Sequence, residues 1–156
     1  MDSAPRSPNG FLSSLTADDF ELVRPHLRTA DLTQDLALVE VDETLKRAYL
    51  PHRGVISLVV KLARGEHVQI AMVGRESIFG AFSALGDATA LNSAVVLVPG
   101  AASTIDIDQL RAAADQSTTF RTALARHGLA VYAQIDRKST RLNSSHELKS
   151  RMPSSA

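Results

Sequence analysis

Between Asp31 and Ile107 the chain consists of short runs rich in Val, Ile, Leu and Thr. Gly, Asp or Pro closes each run at intervals of about ten residues. This rhythm constrains the fold more than any other feature of the sequence. The runs are ALVEV (37–41), TLKRAYL (44–50), GVISLVVKLA (54–63), HVQIAMV (67–73), SAVVLVP (93–99) and ASTIDI (102–107). Arg64-Gly65 falls between two of them and reads as a tight hairpin turn. An open sheet of such strands would leave long apolar edges, so the expected fold is mainly β, an antiparallel β-roll or jelly roll.

Helical patterns flank this β-region. Thr16 can cap a helix in FLSSLTADDFELV, with Asp19 near its positive end, Phe20 and Val23 facing the core, and Pro25 limiting or kinking it. After Asp108, read as an N-cap, DQLRAAADQ and STTFRTALARHGLAVYAQI follow with helical spacing. In the second of these, Phe120, Leu124, His127, Val131 and Gln134 recur at alternating intervals of four and three, which makes a seam. The seam suits either a helix lying on its own β-body or a coiled-coil contact between two protomers. Gly128 would weaken the isolated helix by about 1 kcal/mol relative to Ala, but it permits close backbone approach. Residues 1–10 hold two Pro, a Gly and two Ser without periodicity and are expected to form a loose leader.

The 156-residue length suits one domain, and its 44% hydrophobic content suffices for a packed core. The absence of cysteine excludes disulfides, thiolate metal sites and cysteine nucleophiles. No apolar run approaches the roughly 20 residues of a membrane span, and the first residues lack a signal-peptide core, so a cytoplasmic location without membrane contact is expected. Lys plus Arg and Asp plus Glu both total 17, yet residues 136–156 hold 5 basic and 2 acidic side chains, leaving the body mildly acidic. That tail, DRKSTRLNSSHELKSRMPSSA, resembles the translation of a sequencing adapter: residues 136–146 match one stretch of it codon by codon, and 150–156 match its continuation across an index-sized gap. The expectation is that 136–156 is artefactual and that the natural chain was interrupted near Ile135, within a helix.

The stretch GRESIFGAFSALGDATALNSAVVLVPG (74–100) places a Gly-bracketed turn before a short helix, as in sites that bind small anions, although Gly80 and Gly86 also suit simple tight turns. Together with NGFLSSLTADDFELVRPHL, YLPHRGVISLVV, GEHVQIAMVGRESIFG and VPGAASTIDIDQLR in this order, it resembles the sensor domain of Crp/Fnr-type bacterial transcription regulators over residues 9–135. That resemblance implies a cyclic-nucleotide-binding-like β-roll with flanking helices at 11–115 and the start of a dimerisation helix at 116–135. It also implies a homodimer, and DNA contact only through a C-terminal domain missing from this chain.

Carried across residue by residue, the resemblance puts the effector pocket at Ile78, Phe79, Gly80, Ala81, Asn92 and Ser93, and a dimer interface at Phe120, Leu124, His127 and Val131. Gly80 keeps the family's Gly, but Ala81 stands where a ribose-binding Glu is usual and Asn92 where a phosphate-clamping Arg is usual. Losing that guanidinium should cost roughly hundredfold in affinity, so a cyclic nucleotide is weakly bound or another small effector takes its place. Arg75 and Glu76 read as a solvated surface pair rather than a replacement. Asp42 stands where a turn Gly is common, and Asp tolerates that geometry. Haem would need an axial ligand from His26, His52, His67 or His127, none of which stands out. No catalytic residue, metal or certain cofactor is expected, so the chain does not read as an enzyme. Two other readings are a stand-alone ligand-binding β-roll and a cupin-type metal enzyme; the latter lacks the required His-x-His pair.

Overall fold

A computed structural model describes residues 7–151, with side chains as far as residue 135. Residues 1–6 of the expected leader and the side chains of the 136–156 tail lie outside the described residues. Helices α1 (Gly10–Ser13) and α2 (Ala17–Val23) and a 3-10 turn (Arg24–His26) lead into strands β1 (Arg28–Leu32), β2 (Ala37–Val39), β3 (Arg47–Lys61) and β4 (His67–Val73). Helix α3 (Ala81–Leu85), strand β5 (Ser93–Asp106) and helices α4 (Ile107–Gln116) and α5 (Thr118–Arg151) follow. All pairings are antiparallel, in the order β1-β5-β3-β4 with β2 also on β5. The sheet forms the body, and the helices flank it.

Four of the six expected runs merge pairwise into the two long strands β3 and β5. The turn signals within them, Pro51 to Gly54 and Pro99-Gly100, produce register shifts rather than breaks. Pro51 offers no N–H to the ladder, and Gly54 has φ +96°, so β3 bends there instead of ending. The two paired strands come closest at Gly54 and Gly100: a Cβ on Gly100 would strike the Arg53 carbonyl, so only glycine lets the backbones approach this closely. The Arg64-Gly65 hairpin forms as expected, with Gly65 at φ +91° and its N–H donating to the Leu62 carbonyl at 2.8 Å. β1, absent from the expected set, pairs from Arg28 to Leu32 with the far end of β5. Its half-exposed, mixed polar sequence carries no apolar alternation.

Helix boundaries follow local chemistry. The Thr16 hydroxyl oxygen accepts from the Asp19 N–H at 3.1 Å, capping α2, and Phe20 and Val23 are buried. α4 starts two residues earlier than expected: Asp106 is its N-cap and makes no side-chain cap bond, while Asp108 sits in the first turn. α5 is capped by the Ser117 hydroxyl oxygen, which accepts from the Phe120 N–H at 3.1 Å. The buried Asp19 carboxylate then ties the helices together by accepting from the Ser117 and Thr119 hydroxyls, each at 2.6 Å. Residues 9 and 10, assigned above to a loose leader, belong to the body. Asn9 is wholly buried; its amide donates to the Pro51 and Ser77 carbonyls, both at 2.9 Å, and its side-chain oxygen caps α1 through the Leu12 N–H. Those partners lie 42 and 68 residues away in the chain, so no local pattern marks Asn9 as structural.

Candidate functional site

Residues 78–92 and helix α5, with Leu45 and Leu58, line a half-open cavity of about 290 Å³. On the inner side, Phe79 is pinned to β3 by reciprocal backbone bonds with Tyr49, at 3.0 and 2.8 Å. Gly80 follows with φ +111°; a Cβ there would press on Leu45 and Ala48 at 3.1–3.2 Å, so glycine both makes the turn and lets α3 seat on β3. At the other end of α3, the Arg111 guanidinium of α4 donates to the carbonyls of Ser83 (2.9 Å), Ala84 (3.1 Å) and Gly86 (3.1 Å), satisfying the helix's orphan acceptors. The following loop zips onto residues 42–45 through Ala90–Glu43, Leu45–Ala88 and Asp42–Ala90 backbone bonds, all at 2.8 Å. Asp42 takes the left-handed conformation expected of it, with φ +72°.

Helix α5 closes the cavity with Gly128, Val131, Tyr132 and Ile135. Phe82 of α3 lies against Gly128, where an added Cβ would meet its ring at 2.9 Å, and its ring stands 4.8 Å from that of Tyr132. Gly128 thus serves the close approach expected of it. Of the expected effector residues, Ile78, Phe79, Gly80, Ala81 and Asn92 line this cavity. Ser93 does not: its hydroxyl accepts from the Val41 N–H at 3.1 Å and donates to Glu40 at 3.0 Å, because it already belongs to β5. Sequence reasoning missed Leu45, Leu58, Phe82, Ala90, Leu91 and the α5 residues, which converge only when distant elements pack. The Asp87 carboxyl, at the cavity's edge, is held below the usual carboxylate range by bonds from the Thr89 backbone N–H and hydroxyl.

The expected dimer residues face inward. Phe120 and Leu124 are wholly buried in the chain's own core, His127 packs edge-on against Phe11 at 4.9 Å, and Val131 lines the cavity. For Phe120 and Leu124 the intermolecular assignment is corrected, since burial on the same chain's β-body accounts for the spacing of four and three. Gln134 continues the row and completes it with two 3.1 Å bonds to the Met72 backbone, using a free peptide of edge strand β4. Arg75 and Glu76 form an exposed pair at 3.6 Å, as expected.

None of the four body histidines lines the cavity, and among the described residues no group of three or more His, Asp or Glu is placed to hold a metal ion. His52 makes a 2.6 Å hydrogen bond with the Ser103 hydroxyl. Burial first, and then Arg53, holds its pKa below the ordinary imidazole value of 6.5. His127 is lowered likewise, by burial and then by Arg126, with Glu76 opposing. Both rings therefore bind protons less readily folded than unfolded. Their contribution to stability is complete above pH 6.5 and is lost as the pH falls below it. Urea midpoints should drop between about pH 7.5 and about pH 5.5, and a His52→Gln/His127→Gln variant should drop less. An equal drop in the variant would assign the effect elsewhere.

No protein-family profile matches the chain, and no curated protein does. Solved structures do. The N-terminal domain of a transcriptional regulator from Streptomyces coelicolor A3(2) is 17% identical with a TM-score of 0.60, over 90% of this chain and 92% of that one. A cyclic nucleotide-binding domain from Methylobacillus flagellatus KT is 14% identical with a TM-score of 0.65, over 84% and 74%. FixK2 from Bradyrhizobium japonicum is 14% identical with a TM-score of 0.62, over 71% of this chain and 55% of its own, so this chain spans about half of FixK2. The fold is that of cyclic nucleotide-binding domains, a jelly-roll sheet with flanking helices, as the resemblance implied. Among the described residues no helix is long and apolar enough to cross a membrane.

Proposed function

We propose that this chain is the effector-sensing and dimerising part of a Crp/Fnr-type bacterial transcription regulator: a cytoplasmic, non-enzymatic domain that binds a small molecule. Its DNA contact belongs to a separate C-terminal domain outside this sequence. One observation carries the reading: residues 78–83 and Gly128, Val131, Tyr132 and Ile135 of α5 line one cavity, so an occupant touches the β-body and the long helix at once. A ligand that binds better when α5 sits in one position shifts the helix toward that position, and with it whatever the helix carries. The homodimer of this reading meets on the outer side of α5, where Leu129 is 62% exposed, because Phe120 and Leu124 are already buried within the chain.

Amide hydrogen exchange tests the coupling. With a ligand found by thermal-shift screening at saturation, exchange should slow both in residues 79–85 and in residues 128–135. Protection confined to the first segment would mean that the cavity is occupied without any message reaching α5. A stand-alone ligand-binding module would show that pattern.

A further inference from the structure

We propose that the effector of this cavity is an uncharged, largely apolar molecule of about two fused rings, rather than a cyclic nucleotide or any other anion. This rests on the reading of the cavity as the effector site. Leu45, Leu58, Ile78, Val131 and Ile135 supply aliphatic walls, and Phe82 with Tyr132 supplies an aromatic pair at one side. A closed apolar cavity of about 150 Å³ admits benzene. The 290 Å³ here is roughly twice that, which suits a bicyclic body stacked against aromatic edges. The polar groups are few: Ser83, Thr89 and Asn92 offer hydrogen bonds that orient a ligand without neutralising a charge.

Charge decides against an anion. Among the described residues lining the cavity none is basic, and the one ionised side chain is Asp87. The Arg111 guanidinium, which reaches the carbonyl of the lining residue Ser83, is committed to three carbonyls at the end of α3. A phosphate entering here would lose part of its hydration, meet no cation and approach a carboxylate, whereas an uncharged aromatic would lose little. Ala81 and Asn92, the departures noted in the sequence, therefore belong to one lining that carries no cation.

Titration of the full chain with N-phenyl-1-naphthylamine, an uncharged naphthalene fluorophore, tests the assignment. Saturable binding of one probe per chain is expected, with millimolar cyclic AMP displacing none. Leu91→Asp, at a 68% exposed lining position, and Val131→Trp, which fills the cavity, should each weaken binding by about tenfold or more. Leu91→Asp keeps the test valid if Val131→Trp fails to fold. Displacement of the probe by micromolar cyclic AMP would overturn the ligand class and leave the effector site standing. Unchanged probe affinity in the folded variants, or no saturable binding of either compound, would overturn both.

Discussion

Leu124→Asp is expected to abolish the folded state rather than separate a dimer. Leu124 is wholly buried in the same core as Phe11, Phe120, Ile70 and Ala113, all on one chain. The substitution removes an apolar side chain and leaves a carboxylate without a partner, which together cost about 5 kcal/mol or more. A domain of this size has roughly 5–15 kcal/mol in all, so most molecules should unfold or lose fixed packing. Leu129→Asp, five residues along on the 62% exposed side of α5, should leave each chain folded and weaken the homodimer proposed to meet there. Circular dichroism with urea titration separates the two variants. A Leu124→Asp protein that melted normally and merely halved its sedimenting mass would show that this face of α5 meets a partner instead of the chain's own sheet.

Asn92→Arg should raise cyclic AMP affinity by about hundredfold over the natural sequence. Asn92 lines the cavity, so a guanidinium there supplies the one ingredient an anion lacks, two parallel charge-assisted hydrogen bonds to phosphate oxygens. Asp87 lines the same cavity and would compete for the new cation, so Asn92→Arg with Asp87→Asn should exceed the single change. Isothermal titration at fixed ionic strength measures both. No gain in either variant would mean that position 92 does not face the bound phosphate, and the residue-by-residue correspondence expected from the resemblance would be wrong at that residue.

Much of the site could be read from residues 74–92 because a positive-φ glycine before a short helix is a local feature, and Gly80 marks it in the sequence. What could not be read there is the far wall. Gly128, Val131, Tyr132 and Ile135 carry the same helical spacing whether they cover a cavity, a sheet or a second protomer. The same ambiguity made Phe120 and Leu124 look available to a partner. Ser93 was misplaced for a related reason: it sits next to Asn92 in the chain, but alternation along β5 turns its hydroxyl toward Glu40 and Val41.

Local chemistry in the sequence determined the kinds of element and most of their order: the antiparallel strands, the hairpin at Gly65, the Thr16 cap and the terminal helix as far as Ile135. Each depends on residues a few positions apart, where propensity, capping and turn geometry act. Tertiary structure alone decided that Pro51 and Gly54 bend one strand instead of separating two, that Asn9 is buried, and that α5 turns Phe120 and Leu124 toward its own body. These outcomes depend on which distant backbones approach, as Gly54 meets Gly100 and Phe82 meets Gly128, and on which unpaired polar groups they leave to be satisfied.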